Sequence, residues 1–219
     1  MARSARIVMP GIPHHITQRG NRRQQTFFCE EDYAAYIKLM AVQCHKYEVE
    51  IWSYCLMPNH IHLIAVPKTS AQLRLAIGEA HRVYTKRINK RMDWRGYLWQ
   101  GRFASVAMDQ THLIAAAKYV ELNPVTAGLV DWPEKWKWSS ARAHLSAHSN
   151  VLVNVEPLLE IIPDWNLLFD RTGYSEEWNN LKKGELTGRP QGNKIFLRKI
   201  EQKLGRSLIR KKPGPKRRL

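Results

Sequence analysis

Two β-prone runs separated by one short turn constrain the fold of this chain most. Val49–Leu56 and His60–Val66 are rich in β-branched, aromatic and aliphatic side chains, and Met57-Pro58-Asn59 between them has the composition of a turn. Together they predict a β-hairpin.

The segments on either side extend this hairpin into a sheet with helices. Before the hairpin, apolar spacing predicts a strand over His14–Arg19 and a helix from Glu30 to about Tyr47. After it, a helix is predicted from a Ser70 cap to about Arg91, and then a strand over Tyr97–Met108 that is interrupted at Gly101-Arg102. The last helix is predicted from an Asp109 cap to about Leu122, where Asn123-Pro124 ends it. This order predicts an α+β plait, an antiparallel sheet with helices packed on it.

The body of the fold is expected over about residues 1–130, with a domain boundary near residue 150. Residues 1–150 would form the main domain. Residues 151–219 would form a basic C-terminal extension, irregular at first, with a short helix over Asn193–Leu204, a Gly205 C-cap and a polybasic tail.

The chain is strongly but unevenly basic. It has 35 Lys and Arg against 19 Asp and Glu, a net charge of +16, and 44% hydrophobic residues, which is typical of a globular protein. Residues 1–29 carry +5, 68–102 carry +7 and 182–219 carry +12, whereas the rest sums to −8. Three separate basic segments favour a polyanion as partner, nucleic acid before an anionic membrane surface.

Other features of the sequence indicate the cellular compartment. No run of eighteen apolar residues predicts a membrane span, and no apolar signal core follows the N-terminal arginines. The three cysteines form no CxxC pair, which favours reduced, mostly buried thiols. These observations predict a cytoplasmic protein.

The run His60-Ile61-His62 is the sharpest chemical motif. Side chains alternate along a strand, so both imidazoles project from one face, with Cα atoms roughly 6.6 Å apart. Two such imidazoles can hold one metal ion, but the ion needs further ligands and an open position. His-x-His pairs also occur without a metal.

The helix after Asp109 offers those further groups. At 100° per residue, His112, Tyr119 and Asn123 fall within about 40° of one another, with Ala116 between them. Leu113, Ala117 and Val120 form the adjacent apolar stripe. By spacing alone, Tyr119 also fits the boundary of an amphipathic helix, and Asn123 also fits a helix end before Pro124.

Five segments in order resemble one known family. MPNHIHLI resembles the His-hydrophobe-His motif of the REP-associated tyrosine transposases, IS200-like single-strand DNA transposases of the HUH type. YVELNPVTAGLV is similar to their helix with the catalytic tyrosine, HHITQRGNRRQ to the first strand and arginine turn, and LWQGRF to the Gly-Arg-Phe segment. GRPQGNKIFLRKIEQKLGRSL with KPGPKRR resembles the C-terminal tail, and the resemblance is weakest over 140–185.

The resemblance implies a ferredoxin-like sheet of the HUH endonuclease type and a metal-dependent DNA strand transferase. Tyr119 would be the nucleophile, giving a 5′-phosphotyrosine link and a free 3′-OH. His60, His62 and Asn123 would hold Mg²⁺ or Mn²⁺, although related transposases often have Gln as the third ligand. No organic cofactor is implied, and the resemblance assigns no role to His112.

The implied partner is single-stranded DNA folded as the hairpins of repetitive extragenic palindromes, which suggests a nucleoid-associated protein acting as a monomer or a homodimer. Arginine can contact phosphate or guanine, and the candidates are Arg3, Arg6, Arg19, Arg22, Arg23 and Arg102. The tryptophans at 94, 99 and 132 can stack on unpaired bases or pack in the core.

Two other functions remain open on the sequence. His15-Ile16-Thr17 fits one copy of the His-x-Thr/Ser motif of 2H phosphoesterases, but no second copy pairs with it. A non-catalytic nucleic-acid-binding regulator with the same fold is the other alternative, although the set His60, His62 and Tyr119 is intact.

Overall fold

The predicted hairpin lies within a four-stranded antiparallel sheet. The computed structural model describes residues 6–169, 176–205 and 207–208. The strands are β1 (His14–Arg19), β2 (Val49–Met57), β3 (His60–Pro67) and β4 (Ala104–Ala107). They lie in the order β2-β3-β1-β4, with every neighbouring pair antiparallel.

Helices connect and cover this sheet. In the described residues they are α1 (Glu30–Lys46), α2 (Gln72–Met92), α3 (Gln110–Thr126), α4 (Ala141–Leu145), α5 (Glu156–Leu159), α6 (Trp165–Leu168), α7 (Glu176–Thr187) and α8 (Lys194–Leu204). The βαββαβ order of β1 to β4, with the central strands β3 and β1, is that of a ferredoxin-like plait. The α+β prediction is therefore confirmed. None of the described helices is both long and apolar enough to cross a bilayer.

The two faces of the sheet bury different clusters. Side chains such as Ile16 and Leu63 pack with Met40 of α1 and Leu73 of α2. On the other face, Ile64 packs with α3. A bulge between Ile51 and Ser53 shifts the alternation of β2 by one residue. Because of this shift, the two halves of the strand present apolar side chains to the same face.

Three element boundaries differ from the sequence prediction. The last strand is only Ala104–Ala107, because the chain makes a tight turn where the Gly101 amide donates to the Trp99 carbonyl at 2.8 Å. Helix α2 begins at Gln72 without a side-chain cap from Ser70. Helix α3 continues through Pro124 to Thr126, since proline in a last turn removes only one hydrogen bond.

Residues after position 150 pack against the body. Leu152 and Val155 join the cluster under α1 and α2, and Trp178 and Leu181 join the cluster under α3. Helix α8 has the predicted Gly205 C-cap, Asn193 is its N-cap and not its first residue, and Ile200 packs against the N-terminal segment. The boundary near 150 stays a prediction. The polybasic tail lies outside the described residues, apart from 207–208.

Burial of a neutral histidine makes the stability of this fold pH-dependent. His81 accepts a 2.7 Å hydrogen bond from the Tyr36 hydroxyl, and burial lowers its pKa to about 3. Between pH 6.5 and about 3, the unfolded chain therefore binds a proton at His81 that the folded chain does not. Stability is lost as the pH falls through this window.

We expect the free energy of unfolding to fall less steeply with decreasing pH in His81→Gln than in the wild type. Below about pH 6 the slopes should differ by about 1.4 kcal/mol per pH unit. Urea unfolding at several pH values measures both slopes. His45→Gln, at an exposed position, is the control that should keep the wild-type slope. Equal slopes for wild type and His81→Gln would contradict this account.

Candidate active site

Strand β3 places the two histidines of the His-Ile-His run on the sheet face covered by α3. The ring centroids of His60 and His62 lie 5.0 Å apart, and Ile61 points into the opposite cluster. His62 is buried, and His60 is partly exposed. The strand alternation predicted from the sequence is therefore observed.

Hydrogen bonds define which ring nitrogens carry protons. His60 Nδ1 lies 2.6 Å from the Asn59 side-chain oxygen, so it donates and leaves Nε2 as a lone pair. His62 Nε2 lies 3.3 Å from the Asn123 amide nitrogen and accepts from it. His62 Nδ1 then donates to His15 Nε2 at 3.1 Å. Both histidines of the motif thus direct a lone pair from Nε2.

Helix α3 brings Tyr119 and Asn123 to these rings. The Tyr119 ring stands edge-on to His62, with centroids 5.3 Å apart, and to His15 at 6.0 Å. The Tyr119 ring also makes an edge contact with Trp178 of α7, with centroids 5.1 Å apart. The spacing of four residues on α3 places Asn123 and Tyr119 at one spot, as the helical periodicity predicts.

A second layer lies behind His62. His15 of β1 is fully buried and stacks on His62, and its Nδ1 lies 3.8 Å from the Glu185 carboxylate of α7. The ligand atoms of His15, His62 and Glu185 all lie within 4.8 Å of one another. His62 therefore belongs to two possible donor sets, one with His60 and Asn123 and one with His15 and Glu185.

Burial keeps these imidazoles neutral. It lowers the pKa of His60 to about 4; the charge of the nearby Arg19 also lowers this pKa, and a side-chain hydrogen bond with Asn123 raises it. Burial and the neighbouring His60 lower the pKa of His62 well below its usual value. Burial and the Glu185 carboxylate raise the pKa of Tyr119, whereas Asn123 and Arg19 act in the opposite direction. At neutral pH the histidines are unprotonated and Tyr119 is a phenol.

An open cleft of about 260 Å³ leads to the histidines. Arg19, Arg102 and Gln100 line it together with His60, His62 and Glu185. Two of the six candidate arginines thus face the site.

The other candidate arginines lie elsewhere. Arg6 donates through Nε and Nη2 to the Phe103 carbonyl and stacks on the Phe103 ring, which is a structural role. Arg22 and Arg23 are exposed in the turn after β1. Arg3 lies outside the described residues.

Among the three tryptophans, position in the core decides which can stack on a base. Trp99 is 6% exposed and packs on Tyr36, Tyr84 and His81, so of the two roles open on the sequence it has the one in the core. Trp132 is partly buried against Phe169. Trp94 is 41% exposed.

A buried carboxylate fixes α3 two residues after Tyr119. Glu121 is fully buried and accepts hydrogen bonds from Ser53 of β2, Ser140, His144 of α4 and Trp165 of α6. These hydrogen bonds connect α3, which carries Tyr119, to β2 of the sheet and to the segment that contains α4 and α6.

His112 contributes to the hydrogen bonds at the start of α3. Asp109 caps the helix by accepting from the His112 amide at 3.0 Å, and the same oxygen lies 2.7 Å from His112 Nδ1. Its second oxygen accepts from the Asn193 amide at 2.8 Å. His112 therefore belongs to the junction of α3 and α8.

Sequence reasoning did not find the roles of His15, Glu185 and Trp178. His15 was detectable, because pairing β1 with β3 places it on the same face as His62. Glu185 and Trp178 reach the site only through the packing of α7 on α3, for which the sequence has no local signal.

The arrangement invites comparison with known proteins. The family model of IS200-like transposases matches residues 9–123, slightly more than half of the chain. The match includes His60, His62 and Tyr119 and ends at Asn123. The chain belongs to the IS200-like transposase family.

Two further proteins are similar to this chain. The chain is 27% identical over 115 residues to a putative REP-associated tyrosine transposase of Haemophilus influenzae, covering 48% of this chain and 65% of the relative. It thus spans slightly less than two thirds of that relative's length. A solved REP-associated tyrosine transposase bound to a REP hairpin is similar with a TM-score of 0.56 and 21% identity, covering 71% of this chain and 93% of that one. This likeness confirms the fold.

The Glu121 network generates a prediction about stability. Glu121→Ala leaves four buried donors without their acceptor, so we expect a loss of about 3 kcal/mol or more in the free energy of unfolding. Glu121→Gln should lose less, because one oxygen still accepts from the serines and His144. Urea denaturation followed by circular dichroism measures the losses.

The control is Glu134→Ala at an exposed position, where we expect a change below about 0.5 kcal/mol. A Glu121→Ala protein as stable as this control would refute the structural role of the carboxylate.

Proposed function

We propose that this protein is a DNA strand transferase that cleaves and rejoins single-stranded DNA beside palindromic hairpins, with Tyr119 as nucleophile. The placement of Tyr119 edge-on to His62, with Asn123 one turn further along α3, carries the proposal. Family membership and the fold support it.

In the proposed reaction, Tyr119 Oη forms a bond to phosphorus and the bond from phosphorus to the 3′ oxygen breaks. The phenol loses its proton and the departing 3′ oxygen gains one, so the products are a 5′-phosphotyrosine and a free 3′-OH. Attack by another 3′-OH reverses the step and joins strands. The raised pKa of Tyr119 implies that forming the phenolate is part of the energetic cost.

The residues present fit a divalent cation. His60 and His62 each direct an Nε2 lone pair, and both are neutral, which is the state that binds metals. Rotating the Asn123 carboxamide by 180° replaces its nitrogen with its oxygen beside these rings. A bound Mg²⁺ or Mn²⁺ would supply Lewis acidity toward a phosphodiester. Imidazole ligands suit Mn²⁺ better than Mg²⁺.

Of the two donor sets, we favour His60, His62 and Asn123. A catalytic metal needs a position open to substrate, and His60 lines the cleft, whereas His15 is 1% exposed. His15 then orients His62 by accepting from its Nδ1, and Glu185 faces the far nitrogen of His15. Such outer partners fix the tautomer and ring position of a metal ligand.

The DNA partner follows from charge and family. Arg19 and Arg102 in the cleft are placed to contact phosphates next to the scissile bond, and the basic tail would add contacts without base specificity. The solved relative holds a REP hairpin, and we propose the same class of folded single strand here. A DNA substrate also implies residence at the nucleoid in the cytoplasm. Whether the protein acts as a monomer or a homodimer stays open.

A non-catalytic regulator with the same fold is the second candidate. Such a protein would bind the hairpins without forming a covalent bond. The 2H phosphoesterase alternative has less support, because His15 is buried against His62 instead of facing the cleft.

Covalent capture tests the proposal. We expect wild-type protein, given Mn²⁺ and end-labelled hairpin DNA with single-stranded flanks, to form an adduct that survives denaturing gel electrophoresis. Tyr119→Phe lacks the attacking oxygen and should form none.

Tyr47→Phe, at a partly exposed tyrosine remote from the cleft, is the matched control and should form the adduct normally. An adduct in Tyr119→Phe would exclude Tyr119 as nucleophile. Hairpin binding by wild type without any adduct would favour the regulator.

Metal titration tests the donor set. We expect Mn²⁺ binding, measured by calorimetry on the DNA-free protein, to be lost in His60→Ala and in Asn123→Ala. His15→Leu should weaken binding by about 10- to 100-fold and His15→Gln should restore much of it, since Gln accepts from His62 Nδ1. Chelation should stop adduct formation.

The alternative set predicts the opposite pattern. If the ion lies between His15, His62 and Glu185, then Glu185→Gln abolishes Mn²⁺ binding and Asn123→Ala leaves it unchanged. His45→Ala is the control for nonspecific binding, since His45 is exposed.

A further inference from the structure

A second groove lies next to the active-site cleft, on the other side of the contact between Gly20 and Trp99. It has a volume of about 380 Å³, and Arg22, Trp94, Arg95 and Tyr97 line it. The residues that line this groove and those that line the cleft are different. The groove therefore needs its own explanation.

The groove exposes aromatic surface. Tyr97 is 86% exposed and Trp94 is 41% exposed, and they are the most exposed large aromatic side chains in the described part of the chain. The Trp94 ring makes an edge contact with Phe28, with centroids 5.6 Å apart. The Trp94 ring is thus held by Phe28 at its edge, and the Tyr97 ring is exposed to solvent.

The loop that carries these rings is a built structure. The Trp94 amide donates to the Asn89 carbonyl at 2.8 Å, and the Asn89 side chain donates to the Gly96 carbonyl at 2.9 Å. The Asn21 amide donates to the Leu98 carbonyl at 2.8 Å. Left-handed backbone occurs on both walls: Arg22 and Arg23 adopt φ values of 52° and 63°, and Asp93, next to Trp94, has a φ of 51°.

The charge of the groove selects its ligand class. Arg22 and Arg95 line it, and no acidic side chain does so among the described residues. Arginines beside exposed aromatic faces match single-stranded nucleic acid, in which each unpaired nucleotide offers a base to stack and a phosphate to pair. A base within a duplex is already stacked on both faces and offers neither ring a partner.

The groove and the cleft are joined through the backbone. Arg19, which lines the cleft, accepts at its carbonyl from the Gln100 amide at 2.8 Å. Arg22, which lines the groove, is three residues further on. Three residues span at most about 10 Å, so one DNA strand can occupy both places with only a few nucleotides between them.

We propose that this Trp94–Tyr97 groove binds one or two unpaired nucleotides of the strand that enters the cleft. The proposal rests on the proposed function, because it requires a single-stranded DNA substrate. It adds a stacking site that holds the unpaired segment in register with Tyr119.

Binding measurements with paired and unpaired probes test this site. The probe is a fluorescein-labelled DNA hairpin with or without an unpaired flank, and the readout is anisotropy. We expect Tyr97→Ala and Trp94→Ala each to weaken binding of the flanked hairpin by about 10-fold, with little effect on the hairpin alone. Trp94→Phe, which keeps a stacking face, should stay within about 3-fold of wild type. Val151→Ala, at an exposed position, should bind as wild type does.

An abasic scan locates the base. Replacing single flank nucleotides by abasic residues should weaken wild-type binding at one or two positions. The same replacements should cause no further loss in the Trp94→Ala, Tyr97→Ala double variant. Tyr97→Ala alone serves if the tryptophan variant is unstable, because Tyr97 is almost fully exposed.

The failure of this proposal differs from the failure of the proposed function. If wild type binds the flank and forms the Tyr119 adduct while both alanine variants bind equally well, the groove is not the site. If wild type neither prefers the flanked hairpin nor forms an adduct, the function itself is wrong and the groove proposal falls with it.

Discussion

The antiparallel pairing of β1 with β3 determines where the strand groups of the candidate site lie, and the helices that carry its other groups pack on this pair. In this register Thr17 faces His62 and Arg19 faces His60, while His15 faces Ile64. Side chains alternate with period two, so a slip by one residue would turn both motif histidines into the cluster under α1 and α2. The buried apolar residues on that face, such as Ile61 and Leu63, oppose such a slip because they would move to the other face. The core therefore maintains the register that the chemistry requires.

The position of the tyrosine depends on polar contacts as well as apolar ones. Leu113, Ala117 and Val120 bury one side of α3, which fixes its distance from the sheet but leaves sliding along the sheet less restricted. Glu121 removes that freedom, because its two oxygens bond to groups on three other elements. A buried carboxylate is costly to leave unpaired, so any shift of α3 loses several bonds together. Tyr119 thus approaches His62 from a helix that is held in all directions.

The periodic parts of the sequence allowed the best predictions. The hairpin, α1 and the shared face of His60 and His62 follow from periods of two and 3.6, and the structure confirms them. Predictions at breaks in period were wrong, because Pro124 is tolerated inside the last turn of α3 and the Gly101 turn shortens β4. Glu185 was out of reach, since it enters the site from a helix more than sixty residues after Tyr119. Trp94 and Trp99 look alike in sequence, and only packing separates the exposed ring from the buried one.

The chain as a whole is strongly basic, whereas the candidate site combines neutral histidines with one carboxylate and nearby arginines. The histidines are neutral, so the imidazoles add no attraction for a phosphate, and Glu185 opposes it. Besides burial, which is the larger cause for the histidines, the charge of Arg19 lowers the pKa values of His60, His62 and Tyr119. Arg19 therefore adds to the effect of burial in keeping the imidazoles neutral, and it favours the phenolate of Tyr119. A neutral residue at this position would remove both of these contributions, although burial alone would still favour the neutral imidazoles.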